Sequence, residues 1–151
     1  MSTGASAARD RPAVNFALLV VRVVVGIIFA AHGAQKLFGA FGGPGLAGVV
    51  KMMGPLGYLV TIGEFFGGLG LIVGFLTRFS AASLIVIMLG AIAMVHGKNG
   101  FFQSAGGFEY NLALIGLLLP TLVAGPGWHS LGRCLPLPKS AKTGGPIAVL
   151  E

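Results

Sequence analysis

Few side chains in this chain can take part in proton or ligand chemistry, and they recur in pairs. His32 and His96 each precede a glycine, Glu64 sits in Gly63-Glu64-Phe65-Phe66-Gly67-Gly68, and Glu109 lies near the end of the polar stretch His96 to Tyr110, HGKNGFFQSAGGFEY. Arg22 and Lys36 are the basic residues of the first apolar run. Imidazoles and carboxylates exchange protons readily, so these residue types suit proton handling beside a bound ligand. Two histidines on separate helices can also hold haem, and two His with two Glu can ligate a metal. Their spacing matches no compact ligand motif, so no metal or haem site is assigned. Cys134 is the single cysteine, which leaves no CxxC pair and would require a second protein for thiol exchange. Phosphate-binding glycine loops and GxSxG elbows are absent.

Each of these residues also has a plainer reading. Arg22 can serve as a structural ion-pair partner of Glu64 or Glu109, or extend its charge toward a membrane surface. Glu64 can hydrogen-bond two helices together, and it ionises only beside a basic partner such as Arg22 or a histidinium. The two His-Gly pairs also fit helix ends, where imidazole favours the negative dipole end and glycine supplies the turn. The aromatic-glycine runs Gly100-Phe101-Phe102 and Gly106-Gly107-Phe108 fit the headgroup level of a bilayer or the wall of a pocket for an apolar ring.

The elements that must position these residues are membrane helices. Of 151 residues, 55% are hydrophobic and 9% charged, and the mean hydropathy is +0.91, a composition too apolar to present charge to water on all sides. The formal charge of +6 is scattered, without a basic stripe, which excludes a nucleic-acid surface and leaves lipid headgroups as the electrostatic partner. Four apolar runs follow one another: 13–38, 57–76, 79–95 and 110–124. They predict an all-α, integral membrane four-helix bundle over 13–131. A disordered cytoplasmic segment, 1–12, precedes the bundle, with Pro12 opening the first helix, and a solvated cytoplasmic tail, 132–151, follows it. A signal peptide is disfavoured by Arg22 within the first run and by the lack of a clean cleavage site. The glycine-rich stretch 39–55 reads as a connection outside the hydrocarbon.

Aligning His32 with His96 gives seven identities over eighteen positions, Gly26 and Gly90 among them, which suggests two similar helical hairpins in parallel repeat. Arg and Lys favour one side of the membrane by six to three, so both termini are expected in the cytoplasm and both histidine loops outside. Glu64 then lies roughly 10 Å below the outer surface at helical rise. His32, Glu64, His96 and Glu109 are expected to converge in one extracytoplasmic cavity, with Lys36 and Arg22 as basic partners. On the first helix Arg22, Gly26, Phe29, Gly33 and Lys36 share a face, with His32 at its margin.

These motifs in order, namely Arg22 with His32 to Gly39, Glu64 with Gly67-Gly68, Thr77-Arg78, Val95-His96-Gly97, Gly100 to Phe102, Gly106 to Tyr110 and Gly125 to Leu131, resemble the DoxX family of four-helix bacterial and archaeal membrane proteins. The resemblance spans about Val20 to Leu131. It implies a bacterial inner-membrane location and association with thiosulfate:quinone oxidoreductase or with thiol and oxidative-stress complexes. It also implies a polar site of His32, Lys36, Glu64, His96, Glu109 and Tyr110, with Arg22 as its deeper partner. The expected function is the membrane subunit of a redox complex, with quinone or a small sulfur compound as ligand and redox proteins as partners. The alternatives are a small-molecule permease, with the polar cluster as a midway site, and a structural anchor.

Overall fold

The computed structural model describes residues 3–133 of the chain. Five α-helices follow in order: α1 (Thr3–Phe38), α2 (Gly45–Met53), α3 (Leu56–Val73), α4 (Thr77–Ala91) and α5 (Glu109–Ala124). Three stretches are long and apolar enough to cross a bilayer, Pro12–Phe38, Leu56–Val73 and Thr77–Asn99, and α5 is a shorter apolar helix. Helix α1 begins at Thr3 and carries Pro12 inside it, whereas the sequence reading opens the helix at Pro12. The connection 39–55, read from sequence as lying outside the hydrocarbon, contains the short helix α2, whose Val49 is buried beside Gly57. The tail beyond Arg133, with Cys134, lies outside the described residues.

Close approaches set the arrangement of the helices. A Cβ at Gly26 would come within 2.7 Å of the Gly68 carbonyl oxygen, and one at Gly33 would meet the Phe65 backbone, so α1 and α3 cross in near backbone contact. Small residues permit this, and such packing drives helix association where lipid removes the hydrophobic incentive. Gly67 against Leu84 and Gly70 against Ser80 seat α3 on α4. Asn111 on Met88 and Arg78 on the Val123 carbonyl tie α4 to α5. Neighbouring helices run antiparallel, and α5 returns to α1 to close a ring. The described residues thus form an all-α, up-and-down bundle of four apolar helices.

The bundle is apolar outside and partly polar within. Phe16, Ile27, Phe66, Val86 and Val123 are among many large hydrophobic side chains left exposed, while Arg22, Thr61, Glu64, Thr77, Asn111 and Thr121 are buried. The apolar core between them consists of Val25, Phe29, Leu71, Ala81, Leu84, Met88, Leu114 and Leu118. A hydrocarbon solvent produces this distribution, because polar groups seek one another inside while leucines lose nothing by facing lipid.

Candidate functional site

At one end of the ring, four helices place polar side chains around a cavity of about 300 Å³. From α1 come His32 and Lys36, from α3 Glu64, from the end of α4 His96, and from α5 Tyr110 and Asn111; Gln103 of the 97–108 loop completes the polar lining. Ile28, Phe29, Met88, Ala91 and Leu114 form the apolar part. Helix α4 reaches the cavity through a wide π-helical turn, Ile92–His96, a distortion that recurs at functional sites.

The charges are paired. Lys36 Nζ lies 2.6 Å from both carboxylate oxygens of Glu64, with the glutamate 3% exposed and the lysine 28%. The α1–α3 glycine contacts bring these two residues together, since a bulkier residue at Gly33 would push Phe65, the neighbour of Glu64, away from α1. The basic partner that Glu64 needs is therefore Lys36.

Both imidazoles are oriented by backbone carbonyls. His32 Nδ1 lies 2.9 Å from the Ile28 oxygen on its own helix, and His96 Nδ1 lies 2.8 Å from the Gly106 oxygen across the loop. A carbonyl only accepts, so each Nδ1 carries a proton, and Nε2 is left as the acceptor of the corresponding neutral tautomer. Asn99 donates to the same Gly106 oxygen at 3.1 Å, which fastens the loop beside the cavity. The His32 and Tyr110 rings stand 6.4 Å apart, centroid to centroid.

Two of the sequence-derived residues lie elsewhere. Arg22 is 1% exposed and donates to the carbonyls of Pro126, at 3.1 Å, and His129, at the opposite end of the bundle. There it packs on the α3–α4 turn, where Gly74 takes φ +70° and a Cβ would strike Arg22 and Ser130. The expected pairing of Arg22 with Glu64 or Glu109 is thus corrected: backbone carbonyls of the segment after α5 take its hydrogen bonds because α1 runs away from the cavity toward that end. Glu109 opens α5, with its amide bonded to the Phe101 carbonyl at 2.9 Å, and is not among the residues lining the cavity. Sequence reasoning passed over Asn111, 5% exposed and bonded to Met88 Sδ at 3.3 Å. Its signal was available, as an amide in an otherwise apolar run.

These features define a polytopic helical membrane protein with a cavity, lined in part by polar side chains, at one end of its bundle. The chain belongs to the DoxX family, whose model matches residues 17–97. It is 31% identical over 121 residues to "Inner membrane protein YqjF" of Escherichia coli (strain K12), covering 78% of this chain and 91% of the relative. It is 32% identical over 101 residues to "Putative oxidoreductase CatD" of Bacillus subtilis (strain 168), covering 67% of this chain and 75% of the relative. No solved structure gives a significant match. The chain is a bacterial membrane protein in contact with the lipid bilayer.

Proposed function

We propose that this protein is the membrane subunit of a redox complex and that its cavity binds a quinone-type ring and handles its protons. The observation that carries the reading is the convergence of His32, His96, Tyr110 and the Lys36–Glu64 pair on one cavity that retains polar capacity. The two fixed charges neutralise each other, so the lining favours an uncharged ligand over a free anion such as thiosulfate. Each Nε2 accepts a hydrogen bond from a hydroxyl of the reduced ring, and the Tyr110 hydroxyl can donate to a carbonyl of the oxidised one. Phe29, Ile28 and Leu114 supply an apolar bed for the ring. Reducing a quinone to its quinol takes two electrons and two protons. A partner redox protein is the electron source, and the histidines are the local proton carriers. The name of the Bacillus relative supports a redox setting.

The six-to-three basic bias supports placing both termini in the cytoplasm and the cavity toward the outside. The test is extraction of lipophilic cofactors from the purified protein, with an optical spectrum, alongside Glu64→Gln and His96→Ala. Co-purified quinone, lost in His96→Ala while the variant remains folded and inserted, is the expected result. A protein that carries no quinone and whose melting temperature no added quinone shifts would count decisively against this reading.

A further inference from the structure

The four seams of the ring are not equally closed. Gly26, Gly33 and Gly68 lock α1 to α3, glycines and Leu84 lock α3 to α4, and Asn111–Met88 and Arg78–Val123 lock α4 to α5. The fourth seam, between α1 and α5, is the most sparsely packed. At its cavity end stand His32, which is exposed, and Tyr110, 38% exposed, both of which line the cavity. Tyr110, Ala113 and Leu117 follow one another down one face of α5 at helical spacing, and all three are exposed. His32 lies within the apolar span Pro12–Phe38, six residues before the end of α1, which is about 9 Å along the axis. A polar ring exposed on an apolar span runs contrary to the rule that such groups turn inward, and this one stands beside the most sparsely packed seam.

We propose that the cavity opens sideways into the bilayer between α1 and α5, with His32 and Tyr110 as gateposts, and that its ligand is a ring-headed amphiphile taken from the lipid phase. This rests on the reading of the cavity as a quinone-type site and adds the route and the class. Size supports it: about 300 Å³ is at the small end of the roughly 300–1,000 Å³ typical of ligand pockets. The cavity holds a ring head and leaves a long tail no room except out through a seam.

The test uses proteoliposomes. Ile28→Trp is made in a Trp128→Phe background, so that the introduced indole reports from the cavity side of the seam. Lipids brominated near the upper part of the acyl chain are expected to quench most of its fluorescence, and aqueous acrylamide little. Quenching by acrylamide alone, or by neither, overturns the lateral opening. Should that variant not fold, the wild-type protein is photolabelled with a phospholipid carrying a diazirine in its acyl chain. Adducts on Ile28 and His32 are expected, whereas adducts confined to the outward Val24 and Ile27 overturn the opening. Decyl-benzoquinone is expected to suppress the Ile28 and His32 adducts and thiosulfate to leave them, and the reverse overturns the ligand class. If neither suppresses them, the quinone reading fails while the opening stands demonstrated, because the labelling lipid carries no redox group.

Discussion

Glu64 is held by a single lysine that bonds both of its oxygens, so each partner determines the cost of losing the other. Lys36→Met would strand a carboxylate that is 3% exposed. We expect a loss of about 3 kcal/mol, the lower end for a buried pair, because the lysine keeps partial access to solvent. The double variant Lys36→Met/Glu64→Gln should recover most of that loss, since no lone charge remains, and thermal unfolding of the three proteins in one detergent measures the cycle. Arg22 behaves differently because it bonds two carbonyls at the far end of the bundle. Arg22→Met should cost about 2 kcal/mol through lost charge-assisted hydrogen bonds, with Arg22→Lys restoring only part of it because a point ammonium cannot span two carbonyls. Neither should change ligand affinity at the cavity, and an affinity change in a folded Arg22→Lys protein would return Arg22 to the site.

At the scale of helices, glycine has opposite consequences at different positions. Gly33 is used for contact, and a methyl group there meets the Phe65 backbone. Gly33→Ala should therefore destabilise by about 1–3 kcal/mol and weaken any binding that depends on the Lys36–Glu64 geometry. Gly116 of α5 has open space around the position of a Cβ, so Gly116→Ala should be neutral or stabilise by about 0.5–1 kcal/mol through a lower helical entropy cost. Differential scanning of both variants decides whether packing or propensity governs each position. The two helix ends at the cavity differ as well. His32 bonds back to its own helix, whereas His96 reaches across to the loop that bears Gln103, so His96→Ala should loosen residues 97–108. Faster hydrogen exchange confined to that loop is the expected signature.

For the whole molecule, the prediction is topological. Reporter fusions after Lys51, Arg78, Lys98 and Lys142 should read outside, inside, outside and inside, and an external signal at Lys142 would reverse the orientation. The antiparallel ring already places the 39–55 and 97–108 connections at one end and the α3–α4 turn at the other. The fusions therefore need only decide which end faces the cytoplasm. The proposed parallel repeat makes its own demand: α1 with α3 should superpose on α4 with α5, bringing His32 onto His96.

The sequence alone determined the solvent, the number of apolar helices and most of the polar side chains that line the cavity. Hydropathy is a sum over residues, and a bilayer makes each polar residue in an apolar run conspicuous, so His32, Lys36, Glu64 and His96 were legible one by one. The shared face of Arg22, Gly26, Phe29, Gly33 and Lys36 was legible too, because helical periodicity is local. Which charges meet was decided only by tertiary structure. Glu64 had several basic residues to choose from, and the α1–α3 glycine crossing selected Lys36 by setting the register of the two helices, which left Arg22 at the other end. Glu109 was a neighbour of the cavity in sequence, but the turn that starts α5 is positioned by a backbone bond to Phe101, a long-range geometry that residue spacing does not encode. The sparse α1–α5 seam was likewise invisible in the sequence, because an opening is a property of how a ring closes and not of any one helix in it.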